Sequence, residues 1–473
     1  MSSQTVELAV RETTIPGLMI LDLPLHGDSR GWFKENWQRA KMIAAGLPDF
    51  RPVQNNISYN EFRGTTRGFH AEPWDKYVSV ASGSIFGAWV DLRPGDSFGQ
   101  LVTAQIGPAS AVFVPRGVAN AFQTLQDHTA YSYLVTEHWS ETSRELYSYV
   151  NLADPSLNVE WPIPINEAIL SEADQSHPNL SEATPVPAKR ILVLGGGGQL
   201  GQALAELSGT DPRLHVLTRR QADLCDPKSL DRLQWSAYSH VINAAAYTAV
   251  DAAETPSGRM RAWQVNAQAV RELSARCAVH QVGLVHVSTD YVFDGMEKVY
   301  AEESSIAPLG VYGQSKAAGE TAVGSVPRHY LVRTSWVVGH GANFVDTMTR
   351  LAHSDVDPVV VDDQFGRLTF AEDLARGIMH LIDSDAQYGT YNFQGAGQPM
   401  SWHKVAQEIF ALCGEDARRV GSTSTQEYAA NRVPFAPRPA YGVLDTSKIR
   451  AAGYIPGDQL EYLKKHLRML NSK

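Results

Sequence analysis

The fold of the larger part of this chain is decided by Ile191-Leu192-Val193-Leu194-Gly195-Gly196-Gly197-Gly198-Gln199-Leu200-Gly201. The apolar run suits a strand buried on both faces, the glycines suit a tight turn, and Gln202 to Leu207 reads as helix. A turn without side chains lets a helix N-terminus approach a pyrophosphate, whose charge the free N–H groups and the helix dipole favour. Glycines alone also make flexible loops. Their position between strand and helix, at the start of a domain, predicts a dinucleotide site in which Gly195, Gly198, Gln199, Leu200 and Gly201 face the cofactor.

Downstream, apolar strands alternate with helical stretches: LTRR, HVINAAA, GLVHVSTD and HYLVRTSW. Such alternation predicts a Rossmann-type α/β domain with a parallel sheet covered on both faces. Thr218-Arg219-Arg220 stands where a nucleotide-binding fold usually places an acidic residue for the ribose hydroxyls. Two guanidiniums there suit a 2′-phosphate, so NADPH is the expected cofactor and NADH the alternative. Asp223 and Leu224 are close enough to contact adenine, although Asp223 could equally cap a helix. From roughly Phe365 the pattern suggests a smaller mixed lobe.

The chemistry is signalled by Tyr312-Gly313-Gln314-Ser315-Lys316, preceded by Val287-Ser288-Thr289-Asp290-Tyr291 at a strand end. On a helix Tyr312 and Lys316 share a face. An ammonium nearby would lower the tyrosine pKa, and the phenol could then hand a proton to a carbonyl oxygen held by Thr289 as hydride arrives at carbon.

Residues 1–170 have a different texture, with short strand-like runs (Tyr77 to Val80, Ile85 to Leu92) broken by Gly83-Ser84 and Arg93-Pro94-Gly95-Asp96, as in an antiparallel barrel or sandwich. The segment 171–188, SEADQSHPNLSEATPVPA, is polar, rich in proline and serine, and without apolar periodicity. It reads as a linker before a second domain at 189–473. A length of 473 residues fits two or more cores. With 43% hydrophobic and 19% charged residues the composition is that of a globular protein, and no run approaches a membrane span. A net charge of −10 argues against nucleic-acid and acidic-membrane partners. Three scattered cysteines and an opening MSSQTVELAVRETTIPG without a basic, apolar leader point to the cytoplasm.

The order of motifs in the second half resembles the extended short-chain dehydrogenase/reductases and, more narrowly, the dTDP-4-dehydrorhamnose reductases. The narrower match rests on NAAAYTAVD (Asn243 to Asp251), STDYVFDG (Ser288 to Gly295), RTSWV (Arg333 to Val337) and Arg438-Pro439. The resemblance implies that Thr289, Tyr312 and Lys316 are catalytic and that Ala244, Ala245 and Ala246 line the cofactor with Tyr312 and Lys316. It places Val250, Trp336 and Arg438 against the nucleotide sugar. The family often has G-x-P-T where this chain reads Gly366-Arg367-Leu368-Thr369. An Mg2+ at a reductase interface is compatible with the resemblance, but no acidic cluster in the sequence points to one.

In the first half, Arg67-Gly68-Phe69-His70-Ala71-Glu72 stands out, with Asp28 to Glu35 and Gln54 to Ser58 upstream. His70 has no second histidine and carboxylate at metal-ligand spacing, so no metal is expected; a proton carrier is one reading, although a lone histidine more often has a purely structural role. RGFHAE followed by Lys76 and Asp91-Leu92-Arg93 resembles the dTDP-4-dehydrorhamnose 3,5-epimerases, an all-β cupin or jelly-roll family. That resemblance makes His70 the base, Asp154 its orienting carboxylate, Tyr133 the acid on the opposite face and Lys76 the stabiliser of an enolate. It gives Arg30, Phe33, Glu35, Gln54, Asn56 and Arg67 to the nucleotide sugar. Asn120 stands where the family commonly has histidine; an amide can still hydrogen-bond a sugar oxygen but cannot titrate. The implied substrate is a dTDP-linked 4-keto-6-deoxyhexose, and the implied assembly a homodimer through the cupin. Two alternatives stay open: a reductase carrying a degenerate substrate-binding cupin, and a noncatalytic reductase-like binding protein.

Overall fold

The computed structural model describes residues 7–139, 144, 146–430 and 432–471. The first six residues of the opening stretch read above lie outside them. The chain divides into two compact units, Met1–Ala188 and Lys189–Lys473.

The first unit is built from antiparallel strands: β1 (Ala9–Glu12), β2 (Met19–Asp22), β3 (His26–Asp28), β4 (Gly31–Phe33), β5 (Gln54–Asn60), β6 (Thr66–Ala71), β7 (Lys76–Ser82), β8 (Ile85–Asp91), β9 (Leu101–Ile106), β10 (Ser110–Val114), β11 (Val118–Thr124), β12 (Thr129–Val135) and β13 (Ser148–Tyr149). One sheet has the order β1-β2-β10-β7-β12-β5 and the other β13-β6-β11-β8-β9, while β3 and β4 form a separate hairpin. Val78, Val112 and Tyr131 of the first sheet pack with Ile85, Trp89 and Phe122 of the second in one core. The Gly83-Ser84 turn, with Gly83 at φ +80, carries the chain from one sheet to the other.

Edge strand β5 reverses the usual alternation. Gln54, Asn56 and Ser58 are half-buried, whereas Ile57 and Tyr59 are 69% and 60% exposed. With side chains alternating between faces, this register lines the interior with amides and leaves an apolar strip outside.

The expectation of a linker at 171–188 is corrected. Ser171 caps a short helix, Glu172–Gln175, and Asp174 is buried. Ala183 and Val186 join the core beside Phe69, Val90 and Ala119. Val186 N–H donates to Leu92 O at 2.8 Å, and Ser148 Oγ to Thr184 O at 2.6 Å. Polar composition hid this segment because it is held by hydrogen bonds and isolated apolar contacts, which leave no periodic signature.

In the second unit β14 (Arg190–Leu194), β15 (Leu214–Leu217), β16 (Tyr238–Asn243), β17 (Gly283–Thr289), β18 (His329–Thr334) and β19 (Gly389–Asn392) form a parallel sheet in the order β15-β14-β16-β17-β18-β19. Leu200 and Leu204 of helix Gln199–Leu207 and Leu374 and Ile378 of helix Ala371–Asp383 cover one face. Val270, Leu273 and Cys277 of helix Ala269–Val279 cover the other. A further core joins helices Phe344–Ala352, Trp402–Leu412 and Gln459–Asn471. The stretch after Phe365 is thus shared, since it also returns β19 and helix Ala371–Asp383 to the main sheet. The Gly366-Arg367-Leu368-Thr369 loop is fixed: Leu368 is fully buried and its N–H donates to Gln459 Oε1 at 2.9 Å, a bond that proline could not make. Among the described residues no helix is long and apolar enough to cross a membrane.

Candidate active sites

In the first unit β6 delivers His70 to the wall of a cavity of about 710 Å3, which Arg67, Tyr149, Asp174 and His177 also line. The carboxylate that meets His70 is Asp174, with Oδ1 at 2.9 Å from Nε2. Burial pushes Asp174 upward, but hydrogen bonds from His70 and Ser171 outweigh it and hold the carboxyl below its usual range. Asp154, expected in this role, is elsewhere engaged: Oδ2 accepts the Leu180 N–H at 2.5 Å, and Oδ1 accepts the Ser156 N–H and hydroxyl at 2.8 and 2.7 Å. It locks the turn that leads back to Asp174. The sequence carried one overlooked signal, because Ser171-Glu172-Ala173-Asp174 is a helix-start pattern inside the supposed linker. Ser171 Oγ accepts the Asp174 N–H at 3.1 Å and donates to Oδ2 at 2.8 Å, which aims the other oxygen at His70.

His177 stacks on Tyr149 and lies edge-on to His70. Space therefore supplies the companions that linear spacing lacked, since ligand-type atoms of His70, Asp174 and His177 lie within 4.8 Å of one another. As placed, His70 and Asp174 are at hydrogen-bond distance.

A second cavity of about 230 Å3, lined by Gln54, Asn56, Glu72 and Tyr133, shares Trp139 and Tyr147 with the first. Burial leads the causes that raise the Tyr133 pKa, which keeps the phenol protonated. Lys76 Nζ lies 5.6 Å from the Tyr133 ring centre and 2.5 Å from Glu72 Oε2. Gln54 Nε2 donates to Asn56 Oδ1 at 2.8 Å, and Arg67 Nε donates to Asn60 Oδ1 at 3.2 Å. Asn120 is opposite His70 in the β6–β11 register, but its amide accepts from Trp89 Nε1 at 2.8 Å and donates to Tyr131 Oη at 3.0 Å, so both ends serve the interior. Arg30, Phe33 and Glu35 line neither cavity. Arg30 pairs with Asp28, Glu35 pairs with Lys41, and Phe33 is 68% exposed.

In the second unit the glycine loop passes so close to its neighbours that a Cβ on Gly195 (φ +90) would sit 2.6 Å from Ala245 N, and one on Gly201 2.1 Å from Gly195 O. Gly197 faces open space, and Gly198 caps helix Gln199–Leu207 without a side chain. First-turn N–H groups have no partner within their helix, so these are available to an anion. Gln199 Oε1 is buried and unpartnered. Ala244 to Ala246 follow β16 against the loop. Arg219 and Arg220 are exposed after β15, with Arg219 Nε 3.2 Å from Asp223 Oδ2, while Leu224 is buried. The residues present fit a dinucleotide, with a basic group at the adenosine end.

Thr289 ends β17 and is hydrogen-bonded to Tyr312, which starts helix Val311–Val323. Lys316 is on the same helix, but its Nζ is turned into the sheet, 2.6 Å from Val287 O and 3.2 Å from His286 Nε2. The expectation that the lysine lowers the tyrosine pKa is corrected: burial pushes Tyr312 up to about 12 against the Thr289 hydrogen bond. A cavity of about 690 Å3 beside Gln199, lined by Ala203, Phe370 and Met469, includes none of Thr289, Tyr312 and Lys316. The catalytic candidates are thus marked by their convergence and not by that cavity.

Sequence reasoning missed Asp290, which is fully enclosed and pushed up to about 7 by burial, with Oδ1 accepting the Thr289 hydroxyl at 2.9 Å. Trp336 has φ +45, rare for so bulky a residue, and stacks on Trp402 at 3.6 Å. Arg438 is held by both oxygens of Asp251 at 2.9 Å, next to Val250.

The family model for dTDP-4-dehydrorhamnose 3,5-epimerase matches residues 12–182, and the model for the RmlD substrate binding domain matches 189–471. A Streptococcus pyogenes serotype M6 protein described as an RmlC homolog is 48% identical over 190 residues, 39% of this chain and 95% of that protein. A dTDP-4-dehydrorhamnose reductase of Mycobacterium tuberculosis is 38% identical over 280 residues, 57% of this chain and 89% of that one. Among solved structures, the dTDP-4-dehydrorhamnose reductase of Bacillus anthracis in complex with NADP superposes with a TM-score of 0.55 at 32% identity, over 60% of this chain and 99% of that chain. The chain therefore belongs to the dTDP-4-dehydrorhamnose 3,5-epimerase family through its first unit and to the RmlD reductase family through its second.

Proposed function

We propose that the chain performs two consecutive steps on one substrate, 3,5-epimerisation of dTDP-4-dehydro-6-deoxy-D-glucose followed by NADPH-dependent reduction of the 4-keto group, yielding dTDP-L-rhamnose. The observation that carries this reading is the His70–Asp174 pair, 2.9 Å apart on the wall of a cavity that shares Trp139 and Tyr147 with the pocket lined by Tyr133, whose ring Lys76 approaches. The ionised Asp174 accepts the Nε2–H, which leaves Nδ1 as the basic atom. A 4-keto group acidifies the hydrogens on C3 and C5, so Nδ1 removes each as a proton. Lys76 stabilises the enolate oxygen and Tyr133, kept protonated by burial, returns a proton from the opposite face.

In the second unit the first-turn N–H groups after Gly198 hold the pyrophosphate, and Arg219 and Arg220 take the 2′-phosphate. NADPH, when bound, supplies the hydride. Thr289 and Tyr312 converge on the carbonyl oxygen, and Tyr312 gives it a proton. Val250, Trp336 and Arg438 position the nucleotide sugar. The relatives' names, and the NADP in the Bacillus anthracis structure, support this assignment.

The first unit has cupin architecture in this reading, supported by its two antiparallel sheets around one core. It pairs as a homodimer through the surface bearing Phe33, Ile57, Tyr59 and Phe62, each more than half exposed. The exposed hairpin with Arg30 and Phe33, which lines neither cavity of its own unit, then serves the partner's cavity. Three free cysteines support a cytoplasmic setting.

The test uses the keto sugar in deuterated water without NADPH. Exchange at C3 and C5, lost in His70→Ala, is expected, and adding NADPH should then oxidise the cofactor. No exchange by wild type removes the epimerase reading, and no oxidation between pH 6 and 9 removes the reductase reading.

A further inference from the structure

We infer that His286, a fully buried residue of β17 with no access to substrate, is a positioning residue that presents an N–H to Lys316 and makes the lysine a titrating group instead of a fixed cation. The inference rests on the reductase reading for its kinetic consequence, but not for its geometry.

The chain of bonds starts from a donor whose direction is beyond choice. The backbone N–H of Ala245 donates to an oxygen of the Asn243 side chain at 3.1 Å, so that atom is Oδ1 and the other end of the amide is NH2. Asn243 Nδ2 then donates to His286 Nδ1 at 3.0 Å, which requires Nδ1 to be bare. The neutral imidazole therefore carries its hydrogen on Nε2, 3.2 Å from Lys316 Nζ. Burial and the neighbouring Lys316 hold His286 well below its usual pKa, so a second ring proton is not available to relieve the pattern. An N–H aimed at Nζ calls for a lone pair, which only the amine has. The remaining contact, Val287 O at 2.6 Å, accepts equally well from amine or ammonium.

Protonating Lys316 thus forces one donor to face another somewhere along the chain: Nζ against Nε2, or Nδ1–H against Asn243 NH2, or a flipped amide against the Ala245 N–H. An enclosed polar group left without its bond is costly. Burial, against the opposing charge of Glu320, pushes Lys316 down to about 8, and the network acts in the same direction. The other groups around the lysine do not cancel it. Glu320, one turn on, favours the cation, but its carboxylate is held by Arg333 of β18 at 2.8 Å. Tyr312 is neutral, Asp290 is turned to Thr289, Glu254 caps the Val311 N–H, and Asn266 donates to Ser315.

Two measurements on the full chain test this. In 15N-histidine spectra, with the His286 signal identified by its loss in His286→Gln, the Nε2–H tautomer is expected above pH 8, where Lys316 is an amine; the Nδ1–H tautomer there overturns the inference whether or not the enzyme turns over. In NADPH oxidation, His286→Gln offers Lys316 an amide oxygen and Asn243→Asp turns the first donor into an acceptor. Both should move the alkaline limb of kcat/KM upward by about one pH unit, a tenfold change in proton affinity. A merely structural role would lower the rate at every pH and leave the limb in place, and that result sinks the proposal. Failure of the reductase reading would show separately, as wild type that oxidises no NADPH.

Discussion

The two sites set their proposed proton-transferring groups in opposite ways. In the second unit Thr289, Tyr312 and Lys316 come from one strand end and one helix, so a spacing of four residues is enough to put two of them on one helix face, whatever direction their side chains then take. In the first unit His70 meets a carboxylate 104 residues away, in a segment with almost no regular structure. Helical geometry writes proximity into the sequence, whereas packing of an irregular segment writes it only into space.

The largest effect that would break this comparison is on the local site. Tyr312→Phe should lower NADPH oxidation by roughly 10²- to 10⁴-fold, the usual worth of a general acid, while solvent deuterium exchange into the keto sugar stays at the wild-type rate. Next comes the remote pair: Asp174→Asn should cut deuterium exchange roughly 10²-fold, and Asp154→Asn far less, with its cost appearing as a lower Tm. Equal loss in the two variants would mean that Asp154 shares the orienting role. A smaller effect is expected at the exposed arginines. Replacing Arg219 and Arg220 by alanine should raise the NADPH KM roughly tenfold, the worth of one charge-assisted bond, and leave the NADH KM unchanged.

The smallest contrast is between two aspartates, one in each site. Asp174 is held low by its hydrogen bonds, so its ionised form stabilises the fold above the ordinary carboxylate range and that contribution is lost as pH falls through its lowered value. Asp290 is pushed up to about 7 by burial, so its protonated form is the favoured one and its stability contribution is lost as pH rises from about 4 to about 7. Calorimetry should therefore show Asp174→Asn a few degrees less stable than wild type at neutral pH, the gap closing in acid. Asp290→Asn should be more stable by a similar margin at pH 7 and above, the gap closing below about pH 4. Gaps of the same sign would refute the contrast.

Much of this was legible in the chain. The run from Ile191 to Gly201 announced a strand, a bare turn and a helix, and Tyr312 with Lys316 announced a shared helix face. His70 stood out through its neighbours. Three things were not legible, each for a physical reason. Asp174 lay in a stretch whose polar composition conceals burial, because hydrogen bonds rather than apolar periodicity hold it. Lys316 was expected beside the Tyr312 hydroxyl, but χ rotation took its Nζ to Val287 O and His286, a choice that spacing does not record. Asn120 promised a hand to the sugar, yet Trp89 and Tyr131 occupy both ends of its amide.

The folded tail of the first unit also relocates the seam between the two enzymes. Val186 is still bonded to Leu92, Arg116 still reaches Pro187 O, and β14 begins at Arg190, so only Ala188 and Lys189 intervene. Anyone dividing the gene where composition changes, near codon 170, would amputate the carboxylate bonded to His70 and would obtain two sheets without the proposed dyad. Scissors belong at 188.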